Sequence, residues 1–259
     1  MSKQGFDVQV QARVASVTLA GPPLNVLGTA LQKALAVAVD ALAAQDDVNL
    51  LVLQSGLENI FSAGADVREH LGRENVQPLL QAAHGLMAAL LRFPVPTLCA
   101  VDGPCLGGAL ELLLACDQWL ISDRASLGLP EITLGCYPPA AIVLAPQKLP
   151  APLAAEMIQH GAILPGAEFA ARSGAKLTPT AQFAGELQSL ANHAGALPRG
   201  PLVEATRLLR GGAAARFLAA VGGVESAYLE RLLALPDATE GPRAFLAKSK
   251  PRWNHQSHR

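Results

Sequence analysis

Gly103-Pro104-Cys105-Leu106-Gly107-Gly108-Ala109-Leu110-Glu111 is the stretch on which the reading of the fold turns. It follows a short apolar run, Pro96 to Val101, and leads into Leu112, Leu113 and Leu114. A run of that length, bounded by Pro and Gly, predicts a strand buried on both faces. The leucines after it predict a helix from about Gly108 to Ala115. Strand, Gly-rich turn and helix are thus written in one short span, with a carboxylate in the first helical turn.

The same alternation extends toward the N-terminus. Val14, Ser16 and Thr18 alternate with Ala15, Val17 and Leu19. With Val8-Gln9-Val10 before them they read as a β-hairpin, ended by Ala20-Gly21-Pro22-Pro23. Thr29 to Gln45 carries Leu31, Leu35, Ala38, Val39 and Leu42 at helical spacing, and Asn49 to Gln54 is a short strand. A helix from about Gln77 to Arg92 stops before Pro94, and Asp117 to Ile121 is a further strand. Strands alternating with helices imply an α/β core with a mostly parallel sheet.

From about Pro139 onward strand signals nearly vanish. Residues 151–160, 166–173, 180–193, 201–210 and 225–235 read as successive helices separated by Pro and Gly. Gly195-Ala196-Leu197-Pro198 suggests a boundary, with an α/β core over 1–195 and a helical C-terminal region over 196–259. That region is too small for a large core of its own, so its apolar faces should pack on the α/β part or on a neighbouring subunit.

Composition narrows the function classes. The 259 residues fit one large domain, and with 51% apolar but only 4% aromatic residues the interior must be mainly Ala, Leu and Val. Twenty Lys and Arg balance 21 Asp and Glu, for a net charge of −1, which argues against a nucleic-acid partner. No apolar run reaches the roughly 20 residues of a membrane span, so excess apolar surface points instead to a subunit interface. Met1-Ser2-Lys3-Gln4-Gly5-Phe6-Asp7 lacks a signal-peptide pattern, and the expected location is the cytoplasm. Cys99, Cys105, Cys116 and Cys136 follow no zinc or redox spacing and read as reduced core thiols. His70 and His84 read as surface or partly buried helix residues, and His255 and His258 as part of a mobile tail, so no metal site is expected.

Two small-residue loops follow predicted strands: Phe61-Ser62-Ala63-Gly64-Ala65-Asp66 and Leu106-Gly107-Gly108-Ala109-Leu110-Glu111. Ligands of parallel α/β sheets bind at the carboxyl ends of strands, which is where both loops fall. Small residues allow a ligand to approach the backbone, and Gly108, opening a helix, has a free N–H at the positive end of the dipole. Two such donors on one carbonyl oxygen would stabilise an enolate-like anion, at roughly 3–4 kcal/mol per donor. Either loop alone reads more simply as a tight turn, and Gly103, Gly107 and Gly108 do not make a dinucleotide fingerprint. Glu111 alone could merely favour its helix N-terminus. Glu131, in Gly128-Leu129-Pro130-Glu131-Ile132, supplies a second carboxyl in apolar surroundings. Two such groups would have shifted pKa values, as general acid–base chemistry requires.

At these residues the chain resembles the crotonase (enoyl-CoA hydratase/isomerase) superfamily. Phe61 to Val67 looks like its first oxyanion-hole segment, and Gly103 to Glu111, followed by Ala115-Cys116-Asp117, like the second. Gly128 to Gly135 looks like the segment carrying the second glutamate. All three stand in the family's order and spacing, and the likeness covers nearly the whole chain, ending with Glu240-Gly241-Pro242-Arg243-Ala244-Phe245-Leu246-Ala247-Lys248. Within the family, Ser62 to His70, Leu134 to Ala141 and Trp253-Asn254 resemble cyclohexa-1,5-diene-1-carbonyl-CoA hydratases.

The resemblance implies a spiral of ββα units with a helical C-terminal region that forms a homotrimer or a dimer of trimers. It implies Ala65 and Gly108 as the oxyanion hole and Glu111 and Glu131 as the acid–base pair. Backbone around Ala63, Ala65 and Val67 would meet the adenine, and Phe245 and Lys248 would reach the CoA of a neighbouring subunit. The expected reaction is addition of water to an α,β-unsaturated acyl-CoA, a cyclic dienoyl thioester by 1,4-addition, with no cofactor beyond the CoA of the substrate. An enoyl-CoA hydratase or isomerase of linear chains, a ring-opening hydrolase, and a silent acyl-CoA-binding protein are the alternatives. Three departures bear on the substrate. Leu129 stands where many relatives carry Gln, and Tyr137-Pro138-Pro139-Ala140-Ala141 replaces a Gly-rich stretch. Pro22-Pro23-Leu24-Asn25 replaces a common Arg-Asn-Ala segment, so no residue is assigned to the CoA phosphates.

Overall fold

The computed structural model describes residues 5–257, so His258 and the outermost ends of the two predicted regions lie outside the described residues. The predicted hairpin forms as β1 (Phe6–Gln11) and β2 (Val14–Leu19), paired antiparallel. Then come α1 (Thr29–Ala43), β3 (Leu50–Ser55), α2 (Arg73–Arg92) and β4 (Thr97–Val101). β5 (Pro104–Leu106), α3 (Gly108–Ala115), β6 (Gln118–Ser122) and β7 (Ser126–Gly128) follow. The rest comprises α4 (Pro139–Lys148), α5 (Ala151–His160), β8 (Ile163–Pro165), α6 (Gly166–Ser173), β9 (Lys176–Thr178), α7 (Phe183–Gly195), α8 (Arg199–Arg210), α9 (Ala213–Glu230) and α10 (Asp237–Leu246).

The main sheet has the order β1-β2-β3-β4-β6-β9, parallel from β2 onward. Its central strands, β3 and β4, are apolar on both sides because both sides are covered, while β1 at the edge is largely exposed. Leu51, Leu53, Cys99, Val101 and Ile121 belong to the core shared with α1, α2 and α3. The alternate residues Leu50, Val52, Leu98, Ala100 and Leu120 pack with Phe183 and Leu187 of α7. A second sheet, β5-β7-β8, runs beside it. Successive units β4-β5-α3 and β6-β7-α4 each give one strand to each sheet before entering a helix. This is the expected ββα spiral.

Several boundaries differ from the sequence reading. α2 starts at Arg73, a turn before the predicted Gln77. Pro78, which suggests a helix start, is accommodated inside, while the Asn75 side chain donates to the Leu71 carbonyl at the true entry. The predicted helix 180–193 splits into a 3-10 turn, Thr180–Gln182, and α7. α9 begins at Ala213, well before the predicted Glu225, because Phe217 and Val221 join the core despite Gly222-Gly223. β5, β7, β8 and β9, each three residues long, are too short to show alternation, and Pro104 to Leu106, read as turn, is strand. His84 is buried rather than superficial: its Nδ1 lies 2.8 Å from Glu225 Oε2 across the α2–α9 contact. The tail is tied down at His255, whose N–H donates to Asp237 Oδ2 at 3.0 Å.

The stretch near Gly195 is strapped to the sheet. The Asn49 amide donates to the carbonyls of Ala194, Gly195 and Leu197, the last at 2.7 Å. A stronger strap is Arg210 at the end of α8, which pairs with Asp117 at 2.5 Å and donates to the carbonyls of Leu91, Phe93 and Val95. Asp117 in turn accepts from the Thr97 N–H at 2.8 Å, fixing the entry to β4. Removing one partner of a buried pair strands the other charge, at about 3–5 kcal/mol. Arg210→Met should therefore lower the unfolding free energy by that order, read as a lower urea midpoint; an unchanged midpoint would show that the strap carries no stability.

Candidate active site

The two small-residue loops are held in register by the backbone. Ser62 bridges Cys105 in parallel, with the Leu106 N–H donating to the Ser62 carbonyl at 3.1 Å. The Phe61 and Ser62 N–H groups both donate to the Pro104 carbonyl at 3.0 Å. Three residues beyond this matched pair lie Ala65 and Gly108, so the register itself sets them side by side. Each follows a glycine with positive φ, Gly64 at 87° and Gly107 at 56°, a conformation that disfavours other residues. A Cβ on Gly64 would sit 2.4 Å from the Leu106 carbonyl oxygen, so only glycine lets the loops approach this closely.

Both N–H groups remain available. Gly108 is the first residue of α3, where no intrahelical acceptor exists. The bridge from Leu27 to this loop uses the Gly64 carbonyl, accepting from the Leu27 N–H at 2.9 Å, and leaves the Ala65 N–H out of the pairing.

Glu111 and Glu131 converge on the same glycine pair. The Cβ position of Gly107 lies 2.8 Å from Glu131 Oε1, and that of Gly108 lies 3.5 Å from the Ala65 nitrogen and 3.8 Å from Glu111 Oε2. Glu111, 5% exposed, projects from the first turn of α3. Its Oε1 accepts from the Ala141 N–H at 2.9 Å. Ala141 is in the first turn of α4, which opens at Pro139, so the carboxyl satisfies a donor that the helix cannot. Burial pushes the Glu111 carboxyl up to about 7, against the pull of the Ala141 and Ala140 N–H groups. Glu131 sits on a 3-10 turn, Pro130–Leu134, that Gly135 ends. The residue retains some surface, but its Oε2 is buried without a hydrogen-bond partner among the described residues. Burial, and next the charge of Glu111, push it up to about 8.

Two small cavities meet at this point. The outer, about 60 Å³, is lined by Ala63, Val67, Pro130, Leu134, Cys136 and Pro242, among others. The inner, about 40 Å³, runs past Glu111 to Leu79, Leu80, Tyr137, Pro138, Pro139 and Tyr228. Ala65, Gly108, Glu131 and His70 line both. Leu129, wholly buried, adds no polar group beside Glu131. Burial raises the Tyr137 hydroxyl to about 12, so it stays protonated. A larger depression of about 410 Å³ near Trp119 and Lys148 contains neither glutamate, and its one carboxylate, Asp117, is committed to Arg210.

Of the residues singled out in the sequence, Ala63, Ala65, Val67, Gly108, Glu111 and Glu131 thus line one or both cavities. Phe245 and Lys248 do not: both are exposed at the end of α10, whose Pro242 is the residue that reaches the outer cavity. His70, Gln32, Tyr137 and Tyr228 also line the inner cavity. Sequence reasoning left His70 as an ordinary helix residue; its place directly after the first donor loop was the available signal. Among the described residues no group of three His, Cys, Asp or Glu could hold a metal ion, and no helix is long and apolar enough to cross a membrane.

A spiral of ββα units with two backbone donors and two buried carboxyls at one point defines the class. The chain belongs to the enoyl-CoA hydratase/isomerase family, whose profile matches residues 9–256. It is 35% identical over 196 residues to a cyclohexa-1,5-dienecarbonyl-CoA hydratase of Thauera aromatica, covering 76% of each chain. It is 39% identical over 147 residues to the mitochondrial enoyl-CoA hydratase domain-containing protein 2 of Bos taurus, covering 56% of this chain and half of that one. A solved enoyl-CoA hydratase of Mycobacterium avium subsp. paratuberculosis superposes with a TM-score of 0.86 at 24% identity, covering 96% of this chain and 98% of that one, a likeness of fold.

Proposed function

We propose that this enzyme adds water reversibly to an α,β-unsaturated acyl-CoA, with a cyclic dienoyl thioester as its substrate. The observation that carries the reading is the convergence of Glu111, Glu131 and the Ala65 and Gly108 N–H groups on Gly107-Gly108. The thioester oxygen accepts from the two N–H groups. One glutamate takes a proton from water as its oxygen bonds to the β carbon, and the resulting enolate is held in the oxyanion hole. The other, as the acid, returns a proton to carbon. In a conjugated diene the charge spreads over the second double bond, and protonation at its far end completes a 1,4-addition. Because the carboxyls titrate as a coupled pair, protons belong to the pair and not to one residue. This acid–base chemistry needs no cofactor beyond the CoA of the substrate.

Two carboxyls favour hydration over isomerisation, for which one acid–base group suffices, and two buried carboxyls facing free donors argue against a silent binding protein. A cyclic substrate is supported by the likeness to the Thauera aromatica hydratase and by inner-cavity walls of Tyr137, Pro138, Pro139 and Tyr228. Backbone at Ala63, Ala65 and Val67 borders the outer cavity and is assigned to the CoA side, with adenine its expected contact. Assembly as a homotrimer or a dimer of trimers belongs to the same proposal, with Phe245 and Lys248 meeting the CoA of a neighbouring subunit. Exposed Leu208, Leu209, Leu218, Phe245 and Leu246 on α8, α9 and α10 support such an interface.

The test is a panel of linear and cyclic acyl-CoAs assayed for mass gain of one water. Cyclohexa-1,5-diene-1-carbonyl-CoA should be hydrated with the highest kcat/KM. Preference for crotonyl-CoA would reject the cyclic substrate, and no hydration of any member would reject the hydratase reading.

A further inference from the structure

The four residues shared by the two cavities are the paired donors Ala65 and Gly108, the carboxyl Glu131, and His70. His70 therefore lines both cavities, as the donors and Glu131 do. It ends a 3-10 turn, Val67–His70, pinned on both sides. Asp66 accepts from the Arg68 N–H at 2.9 Å, and Glu69 Oε2 accepts from the Thr29 N–H at 2.9 Å and its hydroxyl at 2.5 Å. The ring is fixed by a contact of 2.9 Å between Nδ1 and the Asp66 carbonyl oxygen. A carbonyl oxygen only accepts, so Nδ1 carries the hydrogen, and in the neutral ring Nε2 carries a lone pair. Burial lowers the His70 pKa, which keeps the ring neutral at pH 7. The remaining inner walls are the apolar Leu27, Leu79, Leu80, Ala83, Pro138 and Pro139 together with Gln32, Glu111, Tyr137 and Tyr228.

A hydratase must hold a water by its two hydrogens, and afterwards a hydroxyl by one. The carboxylate acting as base takes one of the two, and the other goes to a second acceptor on the cavity wall, where His70 stands with Gln32 and the second carboxyl. We propose that His70 is a specificity-determining residue whose Nε2 accepts a hydrogen bond from the oxygen added by hydration, first as water and then as the hydroxyl of the product. This rests on the hydratase reading of the same site.

The experiment compares wild type, His70→Met and His70→Gln. It measures the KM for dehydration of 6-hydroxycyclohex-1-ene-1-carbonyl-CoA and the Ki of cyclohexanecarbonyl-CoA, which has neither hydroxyl nor double bond. His70→Met should raise the KM by about tenfold or more while leaving the Ki within about twofold, since one hydrogen bond to the hydroxyl is lost. His70→Gln, which keeps an acceptor, should recover most of the loss. An equal rise in both constants would mean that the residue only supports the cavity and would overturn the proposal, as would no change in either. Should wild type act on linear chains, 3-hydroxybutyryl-CoA and butyryl-CoA serve as the pair. A wild type inactive on every acyl-CoA takes the hydratase reading down with it, whereas an active wild type with an indifferent His70→Met removes only the histidine assignment.

Discussion

Glu111→Gln and Glu131→Gln should each lower kcat for hydration by roughly 10²–10⁴-fold, the span of a lost general acid or base. The same substitutions should make the protein more stable at pH 8. Both carboxyls are held above the ordinary value of 4.5, at about 7 and about 8, chiefly by burial. Between those limits the native state keeps protons that the unfolded chain has released. The unfolded state then binds fewer protons, so wild-type stability falls as pH rises through the window. A glutamine has no charge to bury, and its amide oxygen can still accept from the Ala141 N–H. The expected gain is on the order of a few kcal/mol at pH 8, closing toward pH 4.5, as read from urea midpoints across pH. Full activity in either variant would remove that residue from the chemistry. A stability difference independent of pH would remove the charge-burial account.

Gly108→Pro should lower kcat by about 10²–10³-fold, the cost of one oxyanion donor. Proline is normally tolerated at the first helical position, where its missing N–H has no intrahelical role. A Cβ at Gly108 meets nothing closer than the Ala65 nitrogen at 3.5 Å, an ordinary contact. Loss of turnover should therefore come with a modest change in melting temperature. Gly108→Ala, which keeps the donor, is the control and should retain most of kcat. If both variants were equally impaired, crowding and not the donor would be responsible.

Much of this arrangement is legible in the chain. α5 and α6 lie where Pro and Gly place them, with Pro150 and Pro165 before and Gly161 and Gly174 after, and α3 lies where its leucines follow Gly107. The glycines of both donor loops could be read as points of close approach. Their register could not, since the bridge between Ser62 and Cys105 joins segments distant in sequence whose local patterns do not encode the pairing. The support of Glu111 by Ala141 was hidden for a related reason. The sequence reading places no helix over 139–148, yet α4 opens at Pro139 and the Ala141 N–H of its first turn donates to the carboxyl. His70 was missed because a single histidine on a short turn has no periodicity to reveal what it faces. Its neighbours come from α2 and α3, from the turn at Glu131 and from α9.

The central claim, that the buried pair of glutamates performs hydration, is tested most directly by the pH dependence of kcat/KM for the best acyl-CoA of the panel. One carboxyl must be ionised and the other protonated, so the profile should be a bell with its optimum between about 7 and about 8. Below it the base is lost, and above it the acid. Replacing either glutamate by glutamine should abolish the bell along with most of the rate. A wild-type profile that stays flat across this range, or a bell that survives intact in both variants, would contradict the account.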